Sequence, residues 1–208
     1  DSERGQRLNL GEPNQTLDAT LRRNTITKRE EIRDGFRIKA SGSQAPANIS
    51  VQNNTFTESG TSLAMSLLRD NATLDVDIRR NDANETMFLN HGGTGSEIDI
   101  TATNNTVDSG PISLDEISDT ANQSIEVTVR DNIVNGSGNI NVDASAPSST
   151  ANVTVTDNRL QEIDSNEGLL VEADGDDMIV DTEIANNTIP DSPDIAGIKT
   201  TVNGLNTT

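Results

Sequence analysis

Residues Asn48–Phe56 read NISVQNNTF. Polar and apolar side chains alternate as far as Val51, and the alternation then breaks at a pair of asparagines. Near copies stand at Glu97–Val107 (EIDITATNNTV) and Val180–Ile189 (VDTEIANNTI). A period of two is the signature of a strand with one buried face. The chain therefore returns to the same strand, and the strand ends each time at an asparagine.

Working outward from that asparagine gives seven anchors: Asn24, Asn54, Asn81, Asn105, Asn132, Asn158 and Asn187. Their strides are 30, 27, 24, 27, 26 and 29 residues, a mean of about 27. A stride in this range marks a solenoid or array. Three residues before the anchors stand Leu21, Val51, Ile78, Ala102, Val129, Val155 and Ile184. The columns five and seven before, and two after, are almost wholly apolar too. A second apolar segment follows each anchor, as in GFRIKA from Gly35, SLAMSLL from Ser62 and GLLVEA from Gly168. Polar links such as NHGGTGS and SAPSST join the units with turn chemistry. Only REEIRD, Arg29–Asp34, suggests a turn of helix.

Two short strands cannot bury an apolar face alone, whereas stacking equivalent strands of successive units buries a continuous thin core. The expected fold is all-β, a parallel β-helix of about seven coils of ~27 residues. A β-sandwich or an antiparallel array is the alternative, but a constant stride does not call for their hairpins. The helix is placed at residues 17–205, with an N-terminal segment at 1–16 as a cap and a tail at 206–208. The anchors are given two structural roles. Asparagine tolerates left-handed backbone at a corner, and stacked asparagines hydrogen-bond along the axis as a ladder.

With its strand, Asn-Asn-Thr-apolar step and following glycine, the chain resembles the right-handed parallel β-helix proteins of the pectate-lyase-like superfamily, over roughly Leu17–Leu205. The resemblance implies a fold shared by lyases, hydrolases, adhesins and surface fibres. The reading here is a non-catalytic member of the surface or fibre type. Polygalacturonases of that superfamily carry an Asp pair, a Gly-His-Gly and an Arg-Ile-Lys in that order. This chain holds Arg37-Ile38-Lys39, His91-Gly92-Gly93 and Asp174–Asp177 in the reverse order. Coils climb the axis at ~4.8 Å each, so reversed order sets the elements about five coils apart. Alternation puts Arg37 and Lys39 outward, and His91 is read as a solvated loop residue.

Composition narrows the function classes. The net charge is −19, with 34 acidic residues against 15 basic ones, and only three of the latter are lysines. Such a surface repels nucleic acid and anionic lipid, and it resembles proteins from salty surroundings, where counter-ions screen dense carboxylates. No apolar run is long enough to insert in a membrane. There is no cysteine, hence neither disulfide nor thiolate-bound metal. Aromatics are limited to Phe36, Phe56 and Phe88.

Three sets of candidate site residues follow. The asparagine ladder is structural. Six residues before the anchors, Asp75, Asp99 and Glu126 stack on consecutive coils, and Asp174, Asp176 and Asp177 crowd one link. Both groups are candidate Ca2+ ligands, with Arg22, Arg79 and Arg130 as the competing neutralisers, and no cofactor is required. The Asn-x-Ser/Thr acceptor recurs at Asn14, Asn48, Asn53, Asn71, Asn84, Asn104, Asn122, Asn135, Asn152, Asn186 and Asn206. The NNT register itself generates much of this excess, and modification requires a source that glycosylates exported proteins.

The function expected from these features is an extracellular or cell-surface structural module: a fibre, filament subunit or adhesin stalk. Its partners would be glycan or cell-surface molecules, further coils of a longer chain, or other copies stacked head to tail. A carbohydrate-active β-helix enzyme, lyase or glycoside hydrolase, is the alternative. The opening stretch, with Leu8 and Leu10, is expected to cover the first coil, and the last coil is expected to be covered by something beyond Leu205.

Overall fold

The computed structural model describes residues 6–10, 15–27, 34–57, 61–116, 120–136, 138–161, 167–189 and 196–203. Within them the chain is a parallel β-solenoid of three sheets. Sheet A comprises β1 (Gln6–Leu10), β4 (Asp34–Ser43), β7 (Thr61–Asp70), β10 (Met87–Gly92), β13 (Ile112–Glu116), β16 (Ile140–Asp143), β19 (Glu167–Asp174) and β21 (Ala196–Asn203). Sheet B comprises β2 (Leu17–Arg22), β5 (Ala47–Gln52), β8 (Thr73–Arg79), β11 (Glu97–Thr103), β14 (Ser124–Arg130), β17 (Thr150–Thr156) and β20 (Ile179–Ala185). Sheet C is built of two- and three-residue strands: β3 (Thr25–Thr27), β6 (Thr55–Thr57), β9 (Asp82–Ala83), β12 (Thr106–Val107), β15 (Ile133–Val134) and β18 (Arg159–Leu160). An isolated bridge from Arg159 to Thr188 extends sheet C.

Each coil therefore runs A, B, C, one strand more than the two read from the sequence. The missed strand is the apolar step after each anchor: two or three residues are too few to show a period of their own. Every pairing is parallel, and sheet B keeps one register throughout, so Leu17, Ala47, Leu74, Ile98, Ile125, Ala151 and Val180 form a single column. The inward columns of all three sheets make one core, with Ile100, Val127, Val107, Val134, Leu89 and Val142 fully buried. The opening segment contributes β1, which lies in register beside β4 as a further strand of sheet A. The REEIRD turn, apart from Asp34, lies outside the described residues.

Two columns of left-handed residues make two of the corners. Between B and C stand Arg23, Asn53, Arg80, Asn104, Asp131, Asp157 and Asn186, with φ between 54 and 59°. Each is the residue before the anchor. The two roles expected of the anchor are thus divided: its predecessor takes the left-handed angle, and the anchor turns inward. Between A and B stand Gln44, Asn71, Gly95, Asn122, Ser148 and Asp177, with φ from 49 to 71°. Each lies ten residues before its anchor, from Gln44 to Asn54 through Asp177 to Asn187. Strand B with its two corners is therefore of constant length, and the variation in stride falls wholly in the arc through C and A.

Candidate functional site

The seven anchors form one continuous ladder. At each joint the backbone N–H and the Nδ2 of the lower asparagine both donate to the Oδ1 of the upper one, at 2.9–3.1 Å. The upper Nδ2 then donates back to a strand carbonyl of the coil below, as Asn105 does to Ile78 at 2.9 Å. The backbone carbonyl of each anchor from Asn24 to Asn158 accepts from the coil above, as Asn81 does from Thr106 at 2.8 Å. The five interior asparagines are at most 2% exposed. A buried amide has two donors and two acceptor sites to satisfy, and here all four are used. The ladder thus stands as read from the sequence, from Asn24 to Asn187.

The acidic column also assembles. Asp75, Asp99 and Glu126 are register partners on the outer face of sheet B. Burial raises the Asp99 carboxyl above its ordinary range, and Glu126, Asp75 and Glu97 push it further the same way. Two of the expected arginine neutralisers go elsewhere. Arg79 grips Asp77, with Nε 2.6 Å from Oδ1, and Arg130 pairs with Asp131 at 3.0 Å. Asp174, Asp176 and Asp177 are exposed at the A–B corner of the last coils, away from that column. Asp177 is itself a left-handed corner residue, and the Asp176 carbonyl accepts from Ser148 at 2.7 Å. Among the described residues no group of three or more His, Cys, Asp or Glu is placed to hold a metal ion.

One consequence concerns pH. A carboxyl whose pKa is higher in the folded chain than in the unfolded one binds its proton more tightly when folded. Its contribution to stability is full below the unfolded value and is lost as pH rises through the folded value. Asp99→Asn should therefore raise the melting temperature at pH 7, and the gain should vanish at about pH 2.5–3, below the ordinary value of about 3.9 for the group. Neutral side chains already interrupt this column at Asn48 and Asn152. A thermal scan of both proteins at the two pH values decides it, and equal melting temperatures at pH 7 would remove the argument. For the same reason the melting temperature should rise with sodium chloride between about 0.05 and 2 M, as screening shortens. A calcium titration alongside separates specific binding from screening.

His91 is not a loop residue. It is 0% exposed and lies in β10, whose register places it between Leu67 and Glu116 on the inward side of sheet A. The strand runs through to Gly92, into the NHGGTGS stretch expected as a link, because the alternation Met87, Leu89, His91 continues the apolar column with a polar member. Arg37-Ile38-Lys39 sits in β4 with Ile38 buried and Lys39 exposed, as alternation requires. Asp174 ends β19, five strands further along sheet A, so the two elements do not meet.

Two features had no counterpart in the sequence reading. Arg69 is 1% exposed, and its Nη1 donates to the carbonyls of Gln15 at 2.7 Å and Ala45 at 2.9 Å. In higher coils these corner carbonyls accept strand N–H groups, as Ala72 does from Glu97. Pro46, with no N–H, breaks that series above Gln15, and Arg69 supplies the missing donor. Burial lowers the pKa of Arg69 from its usual value, though arginine keeps its proton in proteins. The second feature is Asp115 on the outer face of sheet A. Its Oδ1 accepts from Ser113 Oγ at 2.8 Å and from Asn141 Nδ2 at 3.0 Å. Burial raises its pKa and Asp143 adds to the rise, while the Ser113 hydrogen bond and His91 oppose it.

Shallow depressions of about 340 and 430 Å³ run along the A–B corner. Neutral hydrogen-bonding side chains dominate their walls, among them Asn71, Thr73, Asn122 and Ser148, with Glu97 and Asp177 as the acidic members. Of the glycosylation triplets, Asn53, Asn104 and Asn186 are the left-handed residues of the B–C corner, and Asn71 and Asn122 those of the A–B corner. At Asn53, Asn104 and Asn186 the triplet is a left-handed Asn, a ladder Asn and a Thr of sheet C or its bridge, whereas the other coils carry Arg or Asp at the corner, and Asp82, Ile133 and Arg159 follow three of their anchors. Asn48 and Asn152 are exposed on sheet B, Asn84 and Asn135 are half-buried, and Asn14 and Asn206 lie outside the described residues. Among the described residues no helix is long and apolar enough to cross a membrane. Compared with protein-family models, curated proteins and solved structures, the chain finds no match.

Proposed function

We propose that this β-solenoid is a structural and interaction module of an extracellular or cell-surface assembly. The observation that carries the reading is the ladder. The residue type repeated most strictly along the chain has every hydrogen-bonding group directed at joining one coil to the next. A stalk or fibre needs that property: each coil is held to its neighbours by the same set of bonds, so length adds by repetition. The acidic outer face of sheet B supports it too, since a surface of one sign resists nonspecific association in salt-screened surroundings. Its partners in this reading are surface or glycan molecules, and calcium or salt tunes its stability. The test is a panel of plant, algal and bacterial polysaccharides incubated with purified protein. The expected result is no release of reducing ends or unsaturated products, and sustained release would overturn the reading.

Asp115 favours a second reading, a carbohydrate-active enzyme. A carboxyl with a raised pKa beside Asp143 on the next coil has the character of a general acid with a neighbouring carboxylate. If the panel shows turnover, Asp115→Asn should abolish it while leaving the melting temperature at or above that of the wild type.

A further inference from the structure

Beyond that reading, we infer that the outer face of sheet B docks a second copy of this chain, the two solenoids lying side by side with parallel axes and their B faces in contact. The two flanks of this face are opposite in sign. β2, β8 and β14 carry a carboxylate at one flank, Asp18, Asp75 and Glu126, and an arginine four residues on, Arg22, Arg79 and Arg130. All six are exposed. On β5 and β17 the same places hold neutral pairs, Asn48 with Gln52 and Asn152 with Thr156. Between the flanks runs a column of mostly small hydroxyls, among them Ser50, Thr101, Thr128 and Thr154.

The acid and the arginine of one strand stand about 13 Å apart, so they do not meet within the chain. A two-fold axis parallel to the solenoid axis, set over the hydroxyl column, brings them together. It lays the acidic flank of each copy against the arginine flank of the other at the same coil. Asp18 then meets Arg22, Asp75 meets Arg79 and Glu126 meets Arg130, each pair made twice. Asn48 likewise meets Gln52, and Asn152 meets Thr156. A contact of this isologous kind closes on itself. Turning the second copy end over end instead sets carboxylate on carboxylate and arginine on arginine, so the charges select the parallel arrangement.

The arginines are equipped for it. Arg79 spends Nε and Nη2 on Asp77, and Arg130 spends Nε on Asp131. A guanidinium has five N–H donors in a fixed fork, so both keep donors for a carboxylate across the interface. Asp99, crowded by Asp75 and Glu126 in its own chain, would face Thr103 of the second copy, one coil from that copy's Arg79 and Arg130. The second copy thus brings the neutralising charge that Arg79 and Arg130 do not bring within the chain. Asp77 opposes the contact, since it faces its own counterpart, but Arg79 and Gln52 already hold it. Strand length and spacing make the face about 20 by 29 Å. That is roughly 1,200 Å² buried over both copies, the lower edge of specific interfaces. A reversible pair with a dissociation constant of about 10–100 μM is expected.

Sedimentation velocity on the full chain tests this at about 0.15 M sodium chloride, where screening confines the mutual repulsion of two acidic chains to about 8 Å. Wild type should pass from monomer to dimer and stop there. Glu126→Lys and Arg130→Glu should each weaken self-association at least about 30-fold, because each sets like charges together at two symmetry-related places. An equimolar mixture of the two should dimerise again, as should the double variant, since opposite charges then face each other. The chain has no cysteine, so Thr128→Cys places a single thiol beside the two-fold axis. A short bis-maleimide should link its copies in pairs, whereas Thr106→Cys, on sheet C, should stay unlinked. Wild type that remains monomeric up to about 1 mM, whether or not added poly-lysine or dextran binds it, overturns the pairing. A mixture that fails to restore association overturns it too. The polysaccharide panel stands apart: monomers without turnover remove the pair and leave the structural reading, whereas dimers with turnover remove that reading and leave the pair.

Discussion

Asn105→Ala should unfold the chain well below the wild-type melting temperature, at a cost of about 2–6 kcal/mol from two buried N–H groups left without an acceptor, at roughly 1–3 kcal/mol each. The substitution removes the Oδ1 that accepts from the N–H and Nδ2 of Asn81, at 3.0 Å each. It also removes the donor to the Ile78 carbonyl. The two Asn81 N–H groups are left without an acceptor in a core that water does not reach, while Asn81 Nδ2 keeps its other bond to the Val51 carbonyl. Asn132 Oδ1 keeps the Asn105 backbone N–H and is not orphaned. Against a total stability of about 5–15 kcal/mol for a domain, the loss is decisive. Asn105→Asp tests the mechanism rather than the size, because it keeps the shape and replaces the donor by a second acceptor facing Ile78 and Asn132. It should be at least as damaging at pH 7 as alanine. Asn24→Ala, at the exposed first rung, should cost far less. Urea melts of the three variants check the order, and an Asn105→Ala protein as stable as Asn24→Ala would show that the ladder contributes little.

The second large effect is expected at Gly93→Ala. Gly93 has φ of 145°, outside what a side chain adopts readily. A Cβ there would lie 1.8 Å from the Arg69 carbonyl oxygen and 3.0 Å from Ser96 Oγ. Ser96 Oγ itself donates to that carbonyl, so a methyl group strikes the backbone and displaces a hydrogen bond together. The obstacle is main chain, which cannot rotate away, and Arg69 is anchored through Ala45 one coil down and Gln15 two coils down. A loss of about 3–5 kcal/mol is expected, at the upper end of single substitutions. Gly197→Ala is the control, since nothing lies within 4 Å of its added Cβ. Circular dichroism melts of the pair should separate by many degrees, and coincident melts would refute the crowding at β10.

The asparagine ladder was legible in the sequence because one residue type met one need at every coil. No other side chain offers two donors and two acceptors at the reach of a coil spacing, so the identity recurs and the stride can be counted. Sheet B was legible for a related reason: its inward columns are apolar without exception save Thr182, and its outward residues are polar apart from Ile179 and Ala185 in β20. The A–B corner was hidden. Gln44, Asn71, Gly95, Asn122, Ser148 and Asp177 share a backbone angle rather than a side chain, and only their constant distance of ten residues from the anchors betrays them. Sheet C was hidden by its brevity.

What the sequence by itself determined is therefore the repeat, the parallel stacking and the asparagine rungs, since these depend on periodicity and on a side-chain chemistry with no substitute. Only the tertiary structure decided the places where a residue departs from its column. His91 is polar in an otherwise apolar column, and its burial follows from the register of β10 against β7 and β13 rather than from its type. Arg69 reads as a surface charge until Pro46 is seen to leave a carbonyl without a donor two coils from the end. Arg79 and Arg130 turn to Asp77 and Asp131 because those carboxylates are nearer than the stacked column, which leaves Asp99 with its raised pKa. The burial of Arg69 depends on contacts with residues 24 and 54 positions away in the chain, and a one-dimensional pattern carries no record of them.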